Sequence, residues 1–568
     1  MSLATLTPIA AIGRFGTARW SPIGVIAALH LAALGLMVWT EYDWFAPAIY
    51  LLTWALLNFA WLALLRRPGI AAALSLCMFS TIVMMSQLKF SVLWMVINFF
   101  DVLIIDSDTV AFLLSIFPDL RVFLILGLLI LIPALMLVWR IDPFRVPRLV
   151  ALPATLVCTV AVTVLALAVP EQPWQQFQGI NHVSTFVRSG LTTAYELSTK
   201  GWIDFDTTTA DQLREAVDEP CTPAGKPPNI ILLLDEASFD ARAVPGIKLP
   251  DGYGPHFVSF DGKERKLFVE GSGGPTWYTE YNVLTGLSAR SYGRLSYYVT
   301  RIAAGRVKRG LPQELRRCGY KTISLYPAYG AFLSAKKFQT TAGIRHFFDS
   351  ADMKAGDFEP DSFYFDQALK TMAAEQDGRP QFVMTYTMFN HFPWWNTLKP
   401  ELTPDWKPPG NDPEVDEYLR RQSLSASDYA AFKARLATQF PGQPFLIIRF
   451  GDHQPGMARI IDPAATEDMI AQRIMSYDPR YFTTYYAIDA VNFTPKDVSS
   501  ALDRLEAPYI PLVVQEAAGL PLDPSFTEQK KILKRCNGLF FQCAGGAEVR
   551  RFNRLLIDAG LIKGMVSR

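Results

Sequence analysis

Hydrophobic positions are spread unevenly along the chain. Up to about residue 170 they form long uncharged runs, and beyond it short apolar runs alternate with amphipathic ones. Four early runs, 22–40, 47–65, 122–139 and 150–169, have the length of a bilayer-spanning helix, about 20 residues. A fifth, 70–87, is slightly short but carries no charge. The pattern predicts five transmembrane helices. Arg14 and Arg19 precede the first, Arg66 and Arg67 follow the second, and Arg140, Arg145 and Arg148 lie between the fourth and fifth. Short cytoplasmic loops are enriched in Lys and Arg, so these three segments are expected inside. The alternate connections carry acids, and everything after 170 is then extracytoplasmic. The first run competes as a secretory signal, but its lead-in is too long and further spans follow. Segment 92–117 is apolar but interrupted by Asp101, Asp106 and Asp108, which are costly inside a bilayer. It is expected in the outer interface, either as a structural collar or as a platform receiving a lipid.

Residues 171–228 read as a juxtamembrane linker with two helical stretches, "GLTTAYELSTKG" and "TADQLREAVDE". From 229 to 568 the period changes. Short β-rich runs open at 229, 266, 321, 381, 445 and 511, with helical patterns between them. That alternation predicts a mainly parallel sheet covered by helices on both faces, with ligands at the carboxyl ends of the strands. Two of the runs end in chemistry. "NIILLLDEAS" delivers Asp235 and Glu236, and "FLIIRFGDH" delivers Asp452 and His453. Carboxylates and an imidazole make a hard oxygen and nitrogen donor set for a divalent cation such as manganese or zinc. A capped helix start and a surface acid would explain each motif separately. The third piece, "GSGGPTWYTEYNVLTG", places Thr276 after a glycine-rich turn at the start of a helix, the position of a nucleophile facing an anion. Taken alone, Thr276 could equally be an N-cap.

Composition adds two constraints. Half the residues are hydrophobic and 19% are charged, high for a soluble chain. Of six cysteines, Cys77 and Cys158 fall in spans. Cys221, Cys318, Cys536 and Cys543 fall in the outer part, where disulfides form, with Cys536 and Cys543 the favoured pair.

With these motifs in hand, the region from 229 to about 545 resembles the alkaline phosphatase and sulfatase superfamily in its membrane-anchored transferase branch. It is most similar to lipoteichoic acid synthases and related phosphoglycerol transferases. The resemblance rests on Glu236 seven residues after Asn229, Thr276 before "VLTGL", "NHFP" at 390–393 and "GDH" at 451–453. It implies that Glu236, Thr276, Asp452 and His453 bind one divalent ion, Mn2+ or Zn2+, and that Thr276 attacks. His391 would bind phosphate or protonate a leaving oxygen. Asn390, Lys336 and Lys337 are candidate substrate contacts, the lysines standing in "FLSAKK" where the family carries an aromatic and an arginine. The implied reaction takes glycerol phosphate from a membrane phospholipid, phosphatidylglycerol, to a glycan or lipid acceptor of the cell envelope. It would run at the periplasmic face of a bacterial inner membrane, with no nucleic acid involved. Phosphoethanolamine transfer from phosphatidylethanolamine is the alternative. A sulfatase is less favoured because "TWYTE" offers no Cys or Ser for formylglycine. A non-catalytic module and a transporter are the other classes. His30, alone in the first span, is the only ionisable group a transporter reading could use.

Overall fold

The computed structural model describes residues 21–93, 95–105, 119–172, 174–199, 201–208, 221–223, 225–456 and 464–564, with single positions at 110, 113, 114 and 213. It divides into two compact units, one holding residues 1–105 and 117–195, the other 106–116 and 196–568.

The first unit contains five helices long and apolar enough to cross a membrane: α1 (Pro22–Thr40), α2 (Ala46–Leu65), α3 (Pro68–Leu93), α5 (Leu120–Ile141) and α6 (Arg148–Ala168). Two shorter helices are α4 (Phe99–Ile104) and α7 (His182–Thr199), the first unit ending within α7. Tyr50, Trp54, Phe79, Val83 and Val183 form the unit's core, whereas α5 buries no residue, as expected of a helix solvated by lipid. Helix α3 runs beyond the expected 70–87, and Lys89 in the extension pairs with Asp101 at 2.7 Å, while Ser86 Oγ meets His182 Nδ1 at 2.7 Å. The start of α7 is capped from a distance. Glu41 Oε1 accepts from the Val183 N–H at 2.9 Å, and Glu41 Oε2 accepts from the Ser184 hydroxyl at 2.5 Å. Of the expected interfacial segment 92–117, the described residues are 92–93, 95–105, 110, 113 and 114, with α4 among them. The helical stretch expected at 209–219 and the arginines at 14 and 19 lie outside the described residues.

The second unit is built on an eight-stranded sheet: β1 (Asn229–Asp235), β2 (Arg265–Phe268), β3 (Lys321–Leu325), β4 (His346–Phe348), β5 (Gln381–Tyr386), β6 (Phe445–Gly451), β7 (Thr483–Val491) and β8 (Arg504–Glu506). Their order is β4-β3-β5-β1-β6-β7-β2-β8. From β4 to β6 all pairs are parallel, and β7 runs antiparallel to both β6 and β2. Every residue of β1, β5 and β6 is buried, which is why these strands read as unbroken apolar runs instead of alternating ones. One face packs on helices α10 (Asp361–Ala374) and α11 (Pro413–Gln439), with Ile231, Val383 and Ile447 against Phe365, Tyr429 and Phe432.

Four elements differ from the sequence expectation. "PLVV" is not a strand but part of helix α12 (Ile510–Ala517), buried throughout, with Pro511 in its first turn. A short apolar run does not separate a buried strand from a buried helix. The strands β4 and β8 are only three residues long, and β7, "TTYYAIDAV", is too polar at its start to read as a core strand. Disulfides join Cys536 to Cys543 and Cys221 to Cys318.

Candidate active site

Strands β1 and β6 are neighbours in register, with Asp235 opposite Gly451, so the residues that follow each strand emerge side by side. Glu236, Asp452 and His453 thereby meet in a buried cluster whose ligand atoms all lie within 4.8 Å of one another. His453 Nε2 is 3.2 Å from Asp452 Oδ2 and 3.6 Å from Glu236 Oε1. Its Nδ1 lies 2.8 Å from the Gln454 carbonyl oxygen, an acceptor only, so Nδ1 carries the proton and Nε2 presents a lone pair. Glu236 Oε1 and Asp452 Oδ2 are buried without a hydrogen-bond donor. Three lone-pair-bearing atoms facing one point repel unless a cation or a proton sits among them. Burial and the charges of Asp452, Asp235 and Asp361 accordingly push the Glu236 carboxyl well above the usual carboxylate range. The donor set and the orphaned oxygens fit one divalent ion.

The glycine-rich turn packs on the same loop. The Gly273 N–H donates to the Gln454 carbonyl at 3.2 Å, and helix α8 (Thr276–Thr285) is tied down by the Thr279 hydroxyl, which donates to the Asp452 carbonyl at 2.6 Å. Thr276 is not the N-cap: Pro275 holds that position, and Thr276 Oγ1 reaches His453 Nε2 at 3.3 Å. The hydroxyl therefore stands at the cluster and at a helix N-terminus at once.

Gly451 shows why the sequence needs glycine before the Asp-His pair. A Cβ there would fall 1.8 Å from the Ser238 carbonyl oxygen.

Asp235, adjacent to Glu236, turns away from the cluster. Its Oδ2 lies 2.8 Å from His256 Nε2 and accepts from the Tyr485 hydroxyl, while Arg449 bonds both the His256 carbonyl and Asp489. Burial alone would raise its pKa, but His256, Tyr485 and Arg449 hold it below the ordinary value. Asp235 is thus a buried partner of an imidazole and not a candidate ligand. The sequence signal was present, an acid closing an uncharged strand, but His256 is too distant along the chain to be paired with it by inspection.

The "NHFP" loop brings up Asn390 and His391. Asn390 is buried, and neither its Oδ1 nor its Nδ2 has a hydrogen-bond partner. His391 Nδ1 donates to the Phe392 carbonyl at 2.8 Å, leaving Nε2 free to accept, and burial lowers its pKa from 6.5. Lys336 and Lys337 are exposed on helix α9 (Ala335–Ala342), and Lys336 Nζ lies 5.8 Å from the centre of the Phe347 ring. Phe332, which opens the same segment, has its ring centre 6.1 Å from that of Trp277, the residue after Thr276.

Residues 230–481 match the sulfatase family model. The chain is similar to several solved structures. A phosphoglycerol transferase of Streptococcus pyogenes, solved with sn-glycerol-1-phosphate, is 16% identical over 60% of this chain and 86% of its own, with a TM-score of 0.45. The integral membrane lipooligosaccharide phosphoethanolamine transferase A of Neisseria meningitidis is 12% identical over 83% of this chain and 95% of its own, with a TM-score of 0.42. A lipoteichoic acid synthase of Listeria monocytogenes is 14% identical over 58% of this chain and 78% of its own, with a TM-score of 0.38. No curated protein matches the chain.

Proposed function

We propose that the domain built on the eight-stranded sheet is a metal-dependent phosphotransferase that moves the phosphorylated headgroup of a membrane phospholipid, glycerol phosphate from phosphatidylglycerol, to a hydroxyl of a glycan or another envelope acceptor. The observation that carries this reading is the Thr276 hydroxyl, 3.3 Å from His453 Nε2 in a cluster whose two carboxylates each hold an unsatisfied buried oxygen. Glu236, Asp452, His453 and Thr276 would hold one manganese or zinc ion. Such an ion lowers the proton affinity of a hydroxyl and offsets negative charge on the phosphoryl group.

The reaction runs as two displacements. Thr276 Oγ attacks phosphorus, the bond from phosphorus to the diacylglycerol oxygen breaks, and the threonine proton is transferred so that diacylglycerol leaves as the free alcohol. The acceptor hydroxyl then attacks the same phosphorus, the bond from phosphorus to Thr276 Oγ breaks, and the acceptor's proton is transferred to Thr276 Oγ, which restores the hydroxyl. His391, neutral with Nε2 free, binds the phosphoryl oxygens or moves the proton of the leaving oxygen. Asn390, buried with an unused amide, offers the substrate a donor and an acceptor. The five apolar helices keep the enzyme where its donor lipid is, with the domain on the extracytoplasmic side.

The test is the intact mass of the purified full chain after incubation with phosphatidylglycerol vesicles in the absence of acceptor. Thr276 should gain glycerol phosphate while diacylglycerol is released, and Thr276→Ala should do neither. Phosphoethanolamine on Thr276 from phosphatidylethanolamine vesicles, with nothing from phosphatidylglycerol, would reassign the headgroup. No adduct from either lipid, with hydrolysis of sulfate esters instead, would overturn the transferase reading.

A further inference from the structure

Residues 388–396 carry Asn390 and His391 without any helix or strand. Charge buried beneath the loop holds it. At its start Asp361 Oδ1 accepts from the Met388 and Phe389 N–H groups, both at 3.1 Å. From the middle of α11, Arg421 holds the rest. Its Nη1 donates to the carbonyls of His391 at 2.8 Å and Phe389 at 3.5 Å, and its Nη2 to those of Pro393 and Asn396, each at 2.7 Å. Its Nε donates to Glu417 Oε1 at 2.7 Å, and its side chain is 0% exposed.

A guanidinium has five N–H donors in one plane, and here each has its own acceptor. Four of the five are carbonyls of a single eight-residue stretch, on both sides of His391. The preceding residue works the same way: Arg420 shares Glu417 and donates to the Leu398 carbonyl at 2.5 Å and the Thr403 hydroxyl at 2.7 Å. Burying an arginine is expensive unless its pairing is complete. Here it is complete, and it is spent on main chain that makes no sheet or helix bonds of its own. The His391 ring is in turn fixed to this main chain through Nδ1 and the Phe392 carbonyl.

We propose that Arg421 is a positioning residue for phosphoryl transfer, acting through the carbonyls of 389–396 to hold the His391 imidazole and the Asn390 amide in place for the Thr276 reaction. The proposal rests on the role given to His391 above. Arg421 touches neither substrate nor metal. A lysine cannot replace it, because three donors on one nitrogen do not span four carbonyls and a carboxylate.

The test measures the rate of adduct formation on Thr276, and its dependence on lipid concentration, for the full chain with phosphatidylglycerol and phosphatidylethanolamine vesicles. The variants are Arg421→Ala, Arg421→Lys, His391→Ala and the double variant His391→Ala/Arg421→Ala. Bound metal is determined for each. A displacement near 1 Å at a reacting group is worth about 100-fold in rate, so Arg421→Ala should fall by about that factor with its metal retained. Its loss should divide between maximal rate and half-saturating lipid as that of His391→Ala does. Added to His391→Ala, the Arg421 change should cost less than about threefold more, because both act through one imidazole. Arg421→Lys keeps the charge beside Glu417, guards against simple loss of the fold, and should remain impaired. Equal loss from Arg421→Ala with and without His391, or full activity of Arg421→Lys, would overturn the inference while leaving the transferase reading intact. Full activity of His391→Ala would overturn the inference and the role of His391 together, and absence of any adduct in the wild type would overturn both readings.

Discussion

The Gly451→Ala substitution places one methyl group where the structure allows none. The new Cβ would lie 1.8 Å from the Ser238 carbonyl oxygen, 2.9 Å from the Ser238 carbonyl carbon and 3.1 Å from Thr484 Cβ. Real Cβ atoms stay at least 3.0 Å from such neighbours, so the two main chains must separate by about 1.2 Å. Neither side can absorb this in a flexible side chain, because the principal clash is with backbone. Gly451 pairs with Asp235 in the sheet, Ser238 lies two residues beyond Glu236, and Asp452 follows directly. The separation therefore falls between the two halves of the cluster. Metal sites tolerate errors of about 0.2 Å in ligand distance, several times less than the forced shift. Overpacking of this kind costs about 1–3 kcal/mol of stability, and metal affinity should fall at least tenfold. The assay is competition of the purified variant with a chromogenic chelator for zinc or manganese, alongside thermal unfolding. Gly456→Ala is the control: its Cβ would meet the Gly273 oxygen at an ordinary 3.4 Å, and it should bind metal like the wild type. Unchanged metal affinity in Gly451→Ala would refute the assignment of this loop pair as the metal centre.

Three further outcomes are expected. The Glu236 carboxyl is raised above 4.5 in the folded chain, so in the metal-free protein its contribution to stability is present below the unfolded value and is lost as pH rises through the folded one; binding a cation requires the ionised form. Metal affinity should therefore increase with pH, with proton release detectable by calorimetry in buffers of different ionisation enthalpy, and its absence would contradict the shared burial of Glu236 and Asp452. Replacing Cys221 and Cys318 by Ser opens a link spanning 97 residues, for which chain entropy gives about 4.7 kcal/mol, against roughly 2.5 kcal/mol for the Cys536–Cys543 link spanning seven; denaturant unfolding of the two double variants should rank them in that order. Alkaline phosphatase fused after residue 568 should be active and a cytoplasmic reporter silent, and the reverse would remove the extracytoplasmic placement.

The sequence by itself determined the features that depend on neighbours along the chain. Spans of about 20 uncharged residues predict membrane helices whatever surrounds them, and strands buried on both faces read as apolar runs, so β1, β3, β5 and β6 start where those runs start. Glu236, Asp452 and His453 could be named because each follows such a run directly, and parallel strands deliver their ends to one edge. Segments whose character is set by remote partners were not readable in this way. "PLVV" is helical because buried surroundings on all sides favour a helix there, and β7 is a strand because β6 and β2 flank it with free edges. Asp235 has no role that its neighbours along the chain assign until His256 and Tyr485 are seen to take its oxygen. Arg421 carried no signal at all, being one of three arginines in an ordinary helical pattern. Its five acceptors lie up to 32 residues away, and only the packing of α11 under a loop without secondary structure brings them together. Local pattern fixes which residues can form an element or donate a ligand, whereas burial and long-range pairing, which depend on the whole chain having collapsed, decide which of them do.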